Sequence, residues 1–401
     1  MNQPNDRRYE SARKHTLKRS QFLRYTLLGA AGLLLPQRAR AFSPTAVGTA
    51  ATTSTVYAHY YPWYASSPQF RHWNGGDSAR PDPQDNLATT SYPSLGPYAS
   101  LDAAGTLDQH MRWLSLANVD VLIVSWWGQG SYEDSAVGGI LDKASQYGLR
   151  VSFQIEPYVG RSAASTLSDI VYLYAQYGRH PAFYRIARPT LNGPNSAPRG
   201  LFFLFVPTDP YLATAIGSLR GTPNDAVILV RTDDSKMYTD ADIRGQIGWT
   251  GADGMYNYGL YDATGTYDTS LPWSPDYLLV YAVCPGFDNS RTPGVTSPTV
   301  VSRNVGATYD ASWSQLAQQK PEGVAVVSFN EWHEGTQIEP AIPYQYGTYT
   351  YPDYVQHYGL TGAAAASAYL SRTAYWVDHY KSARTTAQSS FHSFLPVVKG
   401  S

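Results

Sequence analysis

Eight short apolar runs recur along most of the chain. They lie near residues 56–61, 119–125, 151–155, 201–206, 226–230, 254–258, 278–283 and 324–328. Helical periodicity occurs between or after them, at residues 105–117, 135–147, 165–177, 211–219, 309–319 and 362–381. Strands that alternate with helices are typical of a parallel α/β fold. Eight strands in about 280 residues predict a single-domain (β/α)8 barrel, or TIM barrel, better than an open sheet.

Polar and aromatic side chains follow six of the apolar runs. The candidates for substrate binding after the first five of these six runs are Tyr60, Trp126, Trp127, Glu156, Tyr256, Tyr258 and Asp288. In a (β/α)8 barrel the C-terminal ends of all strands open onto one face, and that face carries the chemistry. A single aromatic residue at a strand end is more often part of the core. Six such ends on one water-exposed face favour a binding site.

The segment after the last run, residues 330–339, contains three carboxylates, a histidine and an indole. Glu331 and Glu334 are three positions apart, so a turn of the backbone would bring both into one site. Two neighbouring carboxyl groups repel each other, which raises the pKa of one and leaves an acid beside a base near neutral pH. Glycoside hydrolysis needs such a pair. Trp332 could stack on a sugar ring, and His333 is a further candidate for substrate binding.

This segment has two other interpretations. An isolated Glu-x-x-Glu is usually a pair of solvated acids, but the position after a buried strand and the adjacent indole favour a functional pair. His333 and Glu334 also begin a zinc-peptidase pattern. That pattern requires a second histidine where Gln337 stands, and a helix in place of a strand exit, so no metal site is predicted.

The first 41 residues differ from the rest of the chain. They contain nine Lys and Arg against two acidic residues, then an apolar run at residues 27–35 and an Ala-x-Ala sequence at 39–41. This order predicts a secretory signal, and the apolar run is too short for a stable membrane anchor. Residues 19–23 resemble part of a twin-arginine signal, so export by either general route stays open. A linker at 42–54, a barrel domain at 55–385 and a tail at 386–401 complete the predicted organisation.

The charge and aromatic content of the chain narrow its partners. Of 30 basic and 31 acidic residues, the first 41 positions hold nine and two, so the remainder carries a net charge near −8. An acidic protein is a poor partner for nucleic acid or for an anionic membrane. The 33 Tyr and 10 Trp offer flat apolar faces with polar edges, which match a pyranose ring. Cys284 is the only cysteine, so the core must stabilise the fold without an intrachain disulfide.

From about residue 55 to 345 the chain resembles glycoside hydrolase family 99, the endo-α-1,2-mannosidases and endo-α-1,2-mannanases. The matching segments follow the family order: YYPWY at 60–64, LGPY at 95–98, SWWG at 125–128, EPY at 156–158, HPAFY at 180–184, DGMYNY at 253–258, PGFD at 285–288 and NEWHEGTQIEP at 330–340. The last segment is highly specific, whereas each of the others is weak alone. The Tyr-rich residues 344–358 have no counterpart in this resemblance.

The resemblance implies a (β/α)8 enzyme that uses no metal or other cofactor and cleaves within an α-mannose-containing glycan with retention of configuration. It implies that Glu331 acts as a base on the sugar 2-hydroxyl, whose oxygen attacks C1 and forms a 1,2-anhydro sugar. Glu334 then protonates the leaving oxygen and later activates water. Glu156, Tyr60 and Tyr258 would line the reacting subsite, and Trp126 the neighbouring one.

The predicted partner is therefore α-mannan or another α-linked glycan, bound by a secreted and monomeric hydrolase. A hydrolase of a different α-linked polysaccharide on the same scaffold is the first alternative, because linkage specificity depends on loop shapes. A glycan-binding protein without turnover is the second. The intact pair Glu331 and Glu334 argues against that second alternative, since binding alone does not need two adjacent acids.

Overall fold

A closed barrel of eight parallel strands forms the centre of the molecule. The computed structural model describes residues 54–73, 86–186, 197–205, 207, 209–231, 239–258, 276–319 and 321–392. The strands are β1 (Thr55–Tyr60), β2 (Val121–Trp126), β3 (Arg150–Ile155), β4 (Arg199–Leu204), β5 (Ala226–Arg231), β6 (Gly254–Tyr256), β7 (Leu278–Val283) and β8 (Gly323–Val326). Their order in the sheet is β3-β2-β1-β8-β7-β6-β5-β4, and β3 also pairs with β4, which closes the sheet. The predicted (β/α)8 barrel is confirmed.

Helices surround the barrel and include all six predicted helical stretches. They are α1 (Thr106–Leu116), α2 (Tyr132–Gln146), α3 (Ala163–Tyr177), α4 (Leu212–Leu219), α5 (Asp240–Thr250), α6 (Ala307–Gln319), α7 (Gly362–Ala366) and α8 (Ala368–His392). The periodicity missed α5, because only Ile243 and Thr250 are buried along it. Its start is set locally, by reciprocal hydrogen bonds between Thr239 and Asp242 that satisfy the first backbone amides.

Four short antiparallel pairings occur outside the parallel barrel pairs of the described residues. Tyr92–Pro93 pairs with Ala341–Ile342, Phe287–Asp288 with Val300–Val301, Tyr344–Tyr346 with Tyr349–Tyr351, and Arg185–Ile186 with β4. Single 3-10 turns occur at Asn304–Gly306 and His357–Gly359. Residues 344–351 of the Tyr-rich segment thus form a hairpin, and the ring of Tyr344 stacks on that of Tyr92 with centroids 3.9 Å apart.

The strands are buried on both faces, so each contributes to two separate layers of the core. In β1, Tyr57 and His59 face the barrel interior, where His59 contacts the rings of Phe203 and Tyr256. Tyr60 points outward into the layer between strands and helices. Because both faces are apolar, the sequence of such a strand does not reveal which residues point inward.

Several predicted boundaries fall outside the described residues. These include the signal segment 1–41, the linker 42–54 except Ser54, and the end of the tail from residue 393. Helix α8 continues to His392 and so passes the predicted end of the barrel domain at residue 385. Within the described ranges, the structure contains no helix long and apolar enough to cross a membrane.

Candidate active site

The side chains that follow β1, β3 and β8 meet at one mouth of the barrel. Tyr61 follows β1, is buried, and has a pKa raised first by burial and then by the charges of Glu334, Glu156 and Glu331. Three carboxylates from two separate strands therefore lie within electrostatic reach of one hydroxyl. The ends of β1, β3 and β8 therefore lie close together, as the barrel topology requires.

The loop after β8 turns sharply and is tied to the end of β1. The Ser328 hydroxyl accepts a hydrogen bond from the backbone amide of Glu331 at 2.7 Å, which closes the turn. The Asn330 side chain accepts from the Tyr61 amide at 2.7 Å and donates to the Tyr61 carbonyl at 2.9 Å. Asn330 is fully buried, so these bonds are shielded from water and fix the loop against β1.

Glu331 is the most deeply buried carboxylate of the catalytic candidates in the loop. Only 2% of its surface is exposed, and its Oε1 accepts a hydrogen bond from the His333 amide at 2.9 Å. Its Oε2 has no hydrogen-bond partner among the described residues. Burial, followed by the charge of Glu334, holds the pKa of Glu331 well above its usual value, and backbone amides offset part of the rise. Both causes disfavour the ionised form of Glu331 relative to a carboxyl group in water.

Glu334 is only partly buried and is held by two tyrosines. Its Oε2 accepts a hydrogen bond from the Tyr258 hydroxyl at 2.8 Å, and Tyr258 accepts in turn from Tyr61 at 2.6 Å. These hydrogen bonds connect the buried end of β1 to the partly exposed carboxylate through Tyr61, Tyr258 and Glu334. Such a chain orients Glu334 and keeps it accessible to a ligand.

Glu156, at the end of β3, is a third buried carboxyl group. Its Oε1 accepts hydrogen bonds from the Ser125 hydroxyl at 2.7 Å and from the Gln154 amide at 2.6 Å. Burial raises the pKa of Glu156 to about 7, although both hydrogen bonds and two nearby arginines oppose the rise. Glu156 therefore changes its charge near neutral pH.

Arg231 and His59 complete the charged surroundings of the three acids. The Arg231 guanidinium lies 5.3 Å from the ring centroid of Tyr258, and its charge acts on Glu156. His59 is buried beneath Tyr258, with ring centroids 5.0 Å apart. Burial, with a contribution from Arg231, lowers the pKa of His59 to about 3, so this histidine is neutral at physiological pH.

Half-buried rings form an aromatic strip beside the carboxylates. The Trp63 ring stacks on His72 with centroids 4.4 Å apart, and it lies 6.3 Å from Trp127. His72 lies 5.5 Å from His333, next to the glutamate pair. The Trp127 indole donates to the Ser125 hydroxyl at 3.1 Å, which connects the strip to Glu156. Flat rings beside acids are the surface that a sugar needs.

Three predicted binding residues lie elsewhere, and their placement in the site is wrong. Tyr60 points to helix α1, where its hydroxyl is 3.0 Å from His110 Nδ1. Trp126 is fully buried, and its indole donates to Asp134 at 2.9 Å. Trp332 is also fully buried and cannot stack on a sugar. Tyr60 and Trp126 end β1 and β2, where successive side chains point to opposite faces. Trp332 lies in the turn after β8, and its indole bonds the buried Glu339.

The other predicted residues lie at or near the site. Tyr256 is one layer deeper, where its hydroxyl donates to Gln154 at 3.0 Å. Asp288 is partly exposed beside the glutamate loop, and its amide donates to the Glu334 carbonyl at 2.7 Å. His333 and Trp127 are partly exposed, as a ligand contact requires.

The structure also brings in residues that the sequence did not single out. Tyr61, Trp63, His72 and Arg231 surround the three carboxylates. Tyr61 and Trp63 lie inside the YYPWY segment, so the correct segment was identified with the wrong side chain. Arg231 ends a plain apolar strand, and nothing in its neighbourhood along the chain marks it.

The arrangement suits acid–base chemistry on a neutral polar ligand. One buried carboxyl that favours a proton stands near a more accessible carboxylate, and aromatic rings flank both. Among the described residues, no group of three or more His, Cys, Asp or Glu is gathered in a way that could hold a metal ion.

Comparison with known proteins places this geometry in context. The model of glycosyl hydrolase family 99 matches residues 52–382. Glycoprotein endo-alpha-1,2-mannosidase of Rattus norvegicus is 33% identical over 371 residues, which cover 82% of this chain and 76% of the relative. The Xenopus laevis protein of the same name is 30% identical over 361 residues, covering 81% and 77%.

Solved structures agree with these relatives. The structure of the family 99 endo-alpha-mannosidase from Bacteroides thetaiotaomicron is 32% identical, with a TM-score of 0.68, and covers 82% of this chain and 98% of that one. A glycoside hydrolase-like protein with 11% identity and a TM-score of 0.53 shares the fold alone.

Proposed function

The chain belongs to glycosyl hydrolase family 99 and is a glycoside hydrolase of the endo-α-mannosidase type, and we propose that it cleaves internal α-1,2-mannosidic linkages with Glu331 and Glu334 as its catalytic pair. One observation carries the proposal. A buried carboxyl with a raised pKa, Glu331, stands beside the partly exposed Glu334, whose Oε2 is held by Tyr258 at 2.8 Å.

In the proposed first step, two protons move while the glycosidic bond breaks. The ionised Glu331 takes the proton of the sugar 2-hydroxyl, and O2 attacks C1 to form a 1,2-anhydro sugar. The bond from C1 to the leaving oxygen breaks, and Glu334 gives its proton to that oxygen. In the second step Glu334 takes a proton from water, the water oxygen attacks C1, the bond from C1 to O2 breaks, and O2 recovers its proton from Glu331. Two inversions at C1 give net retention.

The surroundings of Glu331 in the free protein oppose the ionised form from which this mechanism starts. Burial and the charge of Glu334 favour the proton on Glu331, whereas the first step needs Glu331 ionised. A 2-hydroxyl that donates a hydrogen bond to Glu331 favours its ionised form. Substrate binding would thus shift the proton toward Glu334, and a ligand without the 2-hydroxyl would not.

The remaining site residues fit a binding role in this proposal. Trp127 and Trp63 offer half-buried rings beside the acids, and Glu156 offers a carboxyl whose pKa is raised to about 7. An internal linkage needs contacts on both sides of the cleaved bond. We assign Glu156 and Trp127 to the sugar on one side and His333 and Asp288 to the other.

Export of the protein is part of the proposal and rests on the sequence alone. Nine basic residues, an apolar run at 27–35 and the Ala-x-Ala sequence precede the barrel. Fractionation of a producing culture checks it: the protein should be outside the cytoplasm, shortened near residue 41. A full-length cytoplasmic protein would contradict this part only.

Product analysis tests the activity. The purified protein is incubated with α-1,2-linked mannan, with an α-1,6-linked mannan backbone and with an α-glucan, and products are sized by mass spectrometry. Oligosaccharides released from the first polymer alone are expected. If another polymer is cleaved and the α-1,2-linked mannan stays intact, the proposed substrate is wrong. If only single sugars are released, the proposed cleavage of internal linkages is wrong.

One variant tests Glu334 of the catalytic pair in the same assay, and a second serves as its control. Glu334→Gln should lower turnover of natural glycans by about 10²–10⁴-fold, because the leaving oxygen loses its proton donor. A substrate with an activated leaving group should recover the first step. Glu322→Gln is the matched control, since Glu322 lies just before β8, at the opposite end of that strand. Near-normal mannan turnover in Glu334→Gln would remove Glu334 from the pair.

A further inference from the structure

A buried polar cluster lies behind the catalytic loop, on the side away from the cleft. Its centre is Glu339, which is fully buried and follows the loop that begins after β8. Its Oε2 accepts hydrogen bonds from the Tyr98 hydroxyl at 2.7 Å and the Trp332 indole at 2.8 Å. Its Oε1 is 3.2 Å from Nε2 of His110, which lies on helix α1. Both carboxyl oxygens are therefore engaged by buried side chains.

The cluster extends to both neighbours of Glu331 in the chain. The Asn330 amide donates to the Tyr98 hydroxyl at 3.3 Å, and the Trp332 indole bonds Glu339. Tyr64 holds the intervening backbone, because its hydroxyl donates to the Asn330 carbonyl at 2.9 Å and accepts from the Trp332 amide at 3.1 Å. Residues 330 and 332, on either side of Glu331, are thus both anchored, whereas the Glu331 carboxyl bonds the His333 amide within the loop.

The geometry points to Glu339 as a positioning residue: we propose that its carboxylate, held by Tyr98, Trp332 and His110, fixes the backbone that presents Glu331 and Glu334 to the substrate. The inference rests on the proposed function, which assigns the chemistry to those two residues. Glu339 does not face the cleft. It acts through Trp332, and a loop freed at Trp332 could shift both acids together. Misplacement of reacting groups by about 1 Å can cost about 10²-fold in rate.

The chemistry of the cluster allows a conservative replacement. In Glu339→Gln the side-chain oxygen can still accept from Tyr98 and Trp332. The new amide can donate to Nε2 of His110 when the histidine proton resides on Nδ1, from which it donates to the Tyr60 hydroxyl oxygen. All contacts are then kept without the charge. Glu339→Ala instead removes the acceptor, and Tyr98→Phe removes one donor while it keeps the ring.

The experiment measures kcat and KM of each variant on the α-1,2-linked mannan used in the product analysis, at a temperature well below the melting temperature of every variant. Glu339→Ala should lower kcat by about 10²-fold and Tyr98→Phe by about 10-fold, while KM changes by less than about 3-fold. Glu339→Gln should keep kcat within about 3-fold of wild type. Tyr309→Phe is the matched control. It removes another buried tyrosine hydroxyl bond, to Thr373 at 2.8 Å between α6 and α8, and should leave kcat unchanged.

Three results would overturn the proposal. These are a kcat within about 3-fold of wild type in both Tyr98→Phe and folded Glu339→Ala, a loss in Tyr309→Phe equal to that in Tyr98→Phe, or a Glu339→Gln variant as slow as Glu339→Ala. If Glu339→Ala does not fold, Tyr98→Phe and Glu339→Gln carry the test. Glu334→Gln in the same assay reports separately on the proposed function, because it probes the acid itself and leaves the cluster intact.

Discussion

Replacement of Glu156 by glutamine should change how the stability of the protein depends on pH. Glu156 is 4% exposed, and burial raises the pKa of its carboxyl from the ordinary value of 4.5 to about 7. Glutamine can accept the same hydrogen bonds from Ser125 and Gln154, at 2.7 and 2.6 Å in the wild type. The substitution therefore removes the ionisation and keeps the contacts.

The sign of the effect follows from proton linkage. Because the folded-state pKa is raised, the folded protein holds a proton that the unfolded chain releases between about pH 4 and pH 7. Below this window Glu156 is protonated in both states and has no effect on the pH dependence. As the pH rises through the window, the free energy of unfolding of the wild type falls. At about 1.4 kcal/mol for each pKa unit, the loss from Glu156 is about 3 kcal/mol by pH 8.

Urea denaturation from pH 4 to pH 8 measures this difference, because the other titrating groups largely cancel between wild type and variant. Glu156→Gln should gain about 3 kcal/mol relative to wild type across the window. Ser125→Ala is the counterpart, since it removes a hydrogen bond that lowers the pKa of Glu156. It should extend the loss of unfolding free energy to higher pH and so make the total loss larger than in the wild type. The reasoning would be refuted if the free energy of unfolding of Glu156→Gln, minus that of the wild type, stayed constant or fell as the pH rises.

Three further outcomes are expected. Trp127→Ala should raise KM by about 10-fold, because a half-buried ring beside the acids is lost. Trp126→Phe should leave KM unchanged and lower the free energy of unfolding by about 1–3 kcal/mol, because it breaks the buried hydrogen bond to Asp134. The opposite pattern in steady-state kinetics and urea denaturation would place Trp126 in the site. A 2-fluoro glycosyl donor should leave only unmodified protein in mass spectrometry, because the attacking hydroxyl is gone, and a glycosyl adduct on Glu331 would make it a direct nucleophile. Treatment with EDTA should not change turnover, and a loss restored by a divalent cation would contradict the proposed metal-free chemistry.

The sequence alone was sufficient for the fold and for the segment that carries the paired acids. Eight apolar runs alternate with helical periodicity, and short runs at this spacing have few ways to be buried other than a closed parallel barrel. The NEWHEGTQIEP segment was identified because its composition is unusual directly after a strand. Both signals are local in the chain, so each can be read without knowing what the chain packs against.

The direction of individual side chains was decided by the tertiary structure. Tyr60 and Tyr61 are adjacent and chemically identical, yet one contacts His110 on α1 and the other contacts Tyr258 in the site. Trp126 and Trp127 are also adjacent, yet Trp126 bonds Asp134 on α2 and Trp127 bonds Ser125 beside Glu156. Both faces of each barrel strand are apolar, so hydrophobic alternation, which would distinguish inside from outside, is missing. Only the packing of the helices on one face and the closure of the barrel on the other determine which side chain lies at the candidate site.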